Sequence, residues 1–168
     1  MRMVYKIISF TLITNLLSGC LQNSELDKMS NKEIEKYFAK HKTELKQLVE
    51  ICEKNSAIQR VEKDESLFYL NNPSVSDTKI VKKAEGIVKQ LKIDNMQCSR
   101  SHMILDNQLL SVSFCLYSAG LGVSGEAQLI KYRTKKFRKR LAKKEKVNIP
   151  WRTIFPLPEE GWSIIHTK

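Results

Sequence analysis

Apolar and polar positions alternate along this chain with two different periods, and the change from one to the other divides it. A first apolar run, residues 7 to 17, is interrupted by Ser9, Thr11, Thr14 and Asn15 and is far shorter than the roughly 20 residues a membrane-spanning helix needs. Residues 21 to 29 have no period. Ser30 followed by Glu33 fits a capping box, in which each side chain satisfies a backbone N–H at a helix start. Ile34, Phe38, Leu45, Leu48, Val49 and Cys52 then recur at helical spacing, with His41 on the same stripe, predicting one long amphipathic helix over 31–54. Residues 57–61 and 67–70 are short strand candidates before a turn signal at Asn71, Asn72 and Pro73. A second helix over 77–91 would bury Ile80, Ala84, Ile87, Val88 and Leu91. From Met96 the period is that of strands: 96–104, 109–118, 122–133, 151–157 and 161–166 are rich in β-branched and aromatic residues and joined by short connections, which require antiparallel neighbours. The pattern predicts an α+β fold, with two amphipathic helices packed on one face of an antiparallel sheet of four to five strands.

The opening segment carries an address. Arg2 and Lys6 precede the first apolar run with no acidic residue among them, as in the charged and hydrophobic regions of an export signal. Leu17, Ser18, Gly19 and Cys20 close that run, and this quartet resembles the lipobox of bacterial lipoproteins. The resemblance implies cleavage before Cys20, lipid on that cysteine, and a membrane-held protein. Several acyl chains on one cysteine, at about 0.8 kcal/mol per buried CH₂, make such attachment effectively permanent. An ordinary secretory signal ending near a cysteine is the alternative, and the four consecutive residues favour the lipobox. Leu21 stands where aspartate marks inner-membrane retention in many such lipoproteins, so in a Gram-negative cell the expected place is the outer membrane, facing the periplasm. The expected organisation is therefore a signal peptide 1–19, a lipidated cysteine and tether 20–29, and a single domain 30–168. The roughly 150 residues after the signal suit one core and not comfortably two.

Charge adds a second feature. The whole chain has a net charge of +11, and loss of Arg2 and Lys6 leaves +9. Ten basic residues and one acid, Glu145, fall within residues 131–146, so this segment alone accounts for the imbalance of the exported part. Lys135, Lys136, Arg138, Lys139, Arg140, Lys143 and Lys144 form the expected basic surface patch. Clustered cations contribute roughly 1 kcal/mol each beside anionic headgroups. With a lipid anchor nearby, the patch reads as facing a membrane or an acidic protein partner; a solvated, partly helical connection is the bland alternative. Nucleic acid fits the charge but not the compartment, and only Tyr132 and Phe137 offer aromatic stacking there.

With Cys20 lipidated, Cys52, Cys98 and Cys115 remain in an oxidising compartment, enough for one internal bridge. If Asp106 and Asn107 form a two-residue hairpin turn, Cys98 and Cys115 face each other in a non-hydrogen-bonded pair, about 4.5 Å apart at Cα. That register predicts a Cys98–Cys115 disulfide worth roughly 3 kcal/mol, with Cys52 a buried free thiol. A longer loop would shift the register and remove the prediction.

Local catalytic motifs are absent from the sequence. Gly120, Gly122 and Gly125 satisfy G-x-G-x-x-G in form, but a strand pattern follows them where a dinucleotide site needs a helix. His41, His102 and His166 are too widely spaced for a local ligand pattern, and no serine sits in a G-x-S-x-G elbow. Glu159 and Glu160 lie in a turn and nominate no glycosidase pair. No metal, cofactor or catalytic residue is expected. The run from His41 to Val49, the glycine-rich Gly120 to Gly125, and a closing strand with Trp162 are similar to a group of small uncharacterised bacterial proteins, many of them lipoproteins, from which the basic segment departs. The expectation is a non-enzymatic envelope lipoprotein acting in binding or as an adaptor, with an immunity-type protein guarding the envelope as one version. A small envelope hydrolase, whose site only the fold assembles, is the rival.

Overall fold

The capping box at Ser30 forms as its spacing requires: the Ser30 N–H donates to Glu33 Oε2 at 2.7 Å and the Glu33 N–H to Ser30 Oγ at 3.4 Å. The computed structural model of the chain describes residues 24–63, 78–101, 108–119, 125–142 and 151–168, with the side chains of Thr78, Arg140, Leu141 and Ala142 undescribed. The export signal with Cys20, the strand candidate 67–70, Asn71, Asn72, Pro73, His102, Gly120, Gly122, Lys143 and Lys144 lie outside the described residues.

Helix α1 (Asn31–Lys54) buries the predicted stripe, together with Ile51. It is not one uninterrupted helix, because His41 adopts φ −110°, ψ 17° and kinks it. Helix α2 (Thr78–Leu91) buries Val81, Ala84, Ile87, Val88 and Leu91, and it ends where Lys92 turns left-handed at φ 56°. The strands are β1 (Arg60–Glu62), β2 (Asn95–Arg100), β3 (Leu109–Ala119), β4 (Glu126–Arg133), β5 (Arg152–Pro156) and β6 (Trp162–Thr167). They form one antiparallel sheet in the order β1-β2-β3-β4-β6-β5, so the fold is α+β with six strands where four to five were expected. A third helix, α3 (Lys135–Ala142), occupies the basic segment.

Pairing places Met96, Phe114, Ile130 and Ile164 in one row across four strands, all fully buried. Against this face pack α1 and α2. Trp162 closes the core, its ring 5.0 Å from Phe38 of α1 and 5.1 Å from Tyr132. Strand side chains alternate between faces. Ser113, Lys131 and Ser163, paired across β3, β4 and β6, therefore project to the other side.

The expected Cys98–Cys115 bridge is overturned. A turn at Asp106 and Asn107 would set Ser101 opposite Val112; instead the Ser101 N–H bonds Gln108 O at 3.0 Å, and a bulge lies at Ser99 and Arg100. The register consequently sets Val112 opposite Cys98 and Asn95 opposite Cys115. Cys98 faces the helices, where Cys52 of α1 meets it in a disulfide with Cα atoms 5.9 Å apart. Cys52 is thus bridged, and Cys115 is the buried free thiol. Burial, and then the Asp94 charge, push that thiol up to about 11, which leaves it unreactive at neutral pH.

Two predictions follow from these constraints. Closing a loop of 46 residues is worth about 4 kcal/mol in the chain-entropy model, so Cys52→Ser or Cys98→Ser should lower unfolding free energy by roughly 2–4 kcal/mol, and Cys115→Ser by far less. Peptide mapping without reductant should recover Cys52 joined to Cys98. Gly161 sits at φ +91°, and a Cβ there would lie 2.9 Å from the Arg133 carbonyl oxygen. Gly161→Ala should accordingly cost about 1–3 kcal/mol in denaturant melts, from strain alone.

Candidate functional site

The described part of the basic segment divides between a strand and a helix. Lys131 and Arg133 belong to β4 and project from the sheet face opposite the helices. Burial, then Arg152 and Arg133, push Lys131 down to about 8, and burial followed by Arg152 lowers Arg133. Arg133 Nη1 donates to Ser163 Oγ at 3.0 Å. The rest of the described segment is α3. Thr134 starts it: its N–H reaches Leu110 O of β3 at 3.0 Å, and its hydroxyl accepts from the Phe137 N–H at 3.4 Å. Phe137 and Arg138 are half-buried, Arg138 pairs with Glu160, and Lys136 reaches Gln108 Oε1. Lys135 and Lys139, four residues apart and therefore on one helix face, are exposed. Of the predicted patch, Arg138 pairs with Glu160, and Lys135, Lys136 and Lys139 are exposed, Lys136 also bonding Gln108. The backbone of Arg140 continues α3; Lys143 and Lys144 lie outside the described residues.

At the opposite end of the sheet the supposed tether is strapped down. Ser24 Oγ accepts the Ser118 N–H at 2.8 Å and bonds Asp94, which also accepts from Ser118 Oγ at 3.0 Å. Glu25 pairs with Lys63 at 3.3 Å and Lys28 with Glu126, while Leu26 and Met29 pack against the core. Residues 24–29 are therefore part of the folded body.

A polar network bolts this strap to the sheet, and nothing in local sequence announces it. Gln128, nearly inaccessible on β4, accepts the Met29 N–H at 2.8 Å and donates to Met29 O at 2.6 Å. Its amide also meets His166 Nδ1 at 3.3 Å, and His166 Nε2 meets Asn31 Oδ1 at 2.6 Å. With Nδ1 accepting from an amide, the ring proton sits on Nε2 and goes to Asn31, so the arrangement requires neutral imidazole. The network lines a cavity of about 370 Å³ with Lys28, Glu126, Thr153, Phe155 and Lys168.

Both ring nitrogens of His166 are thus occupied, and the Ser30 hydroxyl beside it is bonded to Glu33. His41 lies within α1 against Tyr37, so the two described histidines serve separate parts of the fold. Glu159 binds Lys42 and Lys46 of α1, and Glu160 binds Arg138. Among the described residues no cluster of histidine, cysteine and carboxylate suits a metal ion. Nor, among them, is any helix long and apolar enough to cross a membrane. Gly125 leads straight into β4.

Burial, and then Lys28, lower the His166 pKa below its usual 6.5, so the folded state binds its proton less readily than the unfolded chain. Its stabilising contribution is complete above pH 6.5 and is lost as pH falls through the lowered value. Melting temperature should fall across that interval in the native protein and less steeply in His166→Gln, as thermal unfolding at stepped pH would read directly.

No family model, no characterised protein and no solved structure matches the chain, so function has to be argued from the chemistry of these two ends alone.

Proposed function

We propose that the protein is a lipid-anchored lipoprotein of the cell envelope, exported by residues 1–19 and held through Cys20, and that it works by binding, as an adaptor, without catalysis. The observation that carries the reading is the separation of its two ends. Four residues join Cys20 to Ser24, a span of at most about 14 Å, and Ser24 is fixed beside Ser118 at one end of the sheet. Helix α3 follows the other end of β4, about 25 Å away at the rise of a strand. Charge is screened over about 8–10 Å at physiological salt, so α3 is remote from the headgroups around the anchor when the strands stand away from them. An acidic protein or other anionic envelope component beyond the bilayer is the better partner for Lys135, Lys139 and the cations that follow. The domain then acts as a rigid spacer, with lipid at one end and a cationic helix at the other. The lipobox and the strapped segment 24–29 support the anchor; Lys135 and Lys139, both exposed, support the partner.

Protein made with Cys20 intact should carry diacylglycerol by mass and fractionate with membrane, while Cys20→Ala should lack the added mass and be soluble. With poly-glutamate as an acidic probe, Lys135→Glu with Lys139→Glu should weaken binding about tenfold and flatten its salt dependence. Unchanged affinity in that double variant rules out α3 as the contact.

A further inference from the structure

The large apolar side chains that stand in water among the described residues are all on or beside one edge strand. Trp151 is 63% exposed, Ile154 47% and Phe155 37%. Single exposed apolar residues need no explanation, but three within five positions of one edge, Ile154 on the face of Ile165 and Phe155 on that of Ile164, mark that edge for contact. Edge strands are ordinarily blunted by charge; β5 has one cation, Arg152, which forms no ion pair among the described residues, and the backbone N–H of Lys168, beside it, donates to the Trp151 carbonyl at 3.0 Å. An aromatic side chain flanked by Arg and Lys is the composition that settles at a lipid–water interface.

Position sharpens the point. Arg152 pairs with Thr167, and Thr167 with Ala127, so Trp151 lies at the end of the sheet that the strap crosses. Lys28 and Met29 of the strap and Thr153 and Phe155 of β5 line the same cavity. The carboxylate among its lining residues, Glu126, is held by Lys28. Farther along the sheet, burial and then Arg152 lower the pKa values of both Lys131 and Arg133, and Arg133 adds to the effect on Lys131.

We propose that this end of the domain docks on the anionic bilayer surface in which Cys20 is anchored, with Trp151 entering the headgroup region and Arg152 and Lys168 meeting phosphates. The proposal rests on the lipid-anchor reading. A weak contact suffices, because a short tether holds the surface at an effective concentration of order mM. Docking there would stand the strands away from the bilayer and hold α3 at its distance.

The exported protein, its Cys20 acylation read by mass, is reconstituted in phosphatidylglycerol–phosphatidylethanolamine vesicles whose acyl chains are brominated near the headgroup. Trp162 is buried at the far end of the sheet and serves as an internal reference. Bromine should remove about half of the emission, and Trp151→Phe should abolish that response. Arg152→Glu with Lys168→Glu should reduce the quenching, whereas Lys135→Glu with Lys139→Glu should leave it unchanged. Unquenched emission from protein whose Cys20 is acylated overturns the docking and leaves the anchor standing; absence of lipid on Cys20 overturns both. A doubled mass in detergent that reverts on Phe155→Asp assigns the edge to a second copy and overturns the bilayer as its occupant.

Discussion

The register of β3 is the constraint on which the other features depend. It is the longest strand and pairs with β2 on one side and β4 on the other. Its alternation turns Val112 and Phe114 toward the helices and Ser111, Ser113 and Cys115 away. A slip of one residue would exchange these sets and put serine against Phe38 and Trp162. The same register brings Cys98 to the face where Cys52 meets it and, through β4, turns Lys131 and Arg133 to the helix-free side. The disulfide then fixes the C-terminal end of α1 over β2. There the Arg100 guanidinium also meets the last carbonyls of the helix, at Cys52 and, 2.8 Å away, at Asn55.

Charge in this protein divides into positions that hold the fold and positions left for contact. The pairs of Lys42 and Lys46 with Glu159, and of Arg138 with Glu160, join elements far apart in sequence. Exposed pairs of this kind contribute little stability each, at most about 1 kcal/mol. Their effect is to orient: Glu159 and Glu160 occupy the β5–β6 turn, and through them α1 and α3 are set against it. Within the described part of the basic segment and β5, Lys135, Lys136 and Lys139 are exposed at one end of the sheet and Arg152 lies beside Trp151 at the other, while Lys131 and Arg133 point from a strand and Arg138 pairs with Glu160.

The polar network at Gln128, His166 and Asn31 has a different character. Gln128 is shielded and both ring nitrogens of His166 are bonded, so losing one partner leaves the others with unmet hydrogen bonds. The network converts residues 24–29 from a tether into part of the domain.

What the sequence determined by itself were the features whose physics is local. The capping box at Ser30, the stripe from Ile34 to Cys52, the β period after Met96 and the α+β class all follow from spacing within a few turns or strand lengths. The lipobox quartet is local in the same sense, and it remains a statement about sequence. Tertiary structure decided whatever depends on contacts between distant residues. The disulfide partner of Cys98 turned on the β2–β3 register and a bulge, and a three-residue shift replaced Cys115 by Val112. His166 acquired its neutral tautomer from Gln128 and Asn31, the latter 135 positions away. Exposure of Trp151, Ile154 and Phe155 followed from β5 taking the sheet edge while β6 inserted beside β4. Strand order is set by the free energy of packing the whole sheet against α1 and α2, and no window of sequence contains that sum.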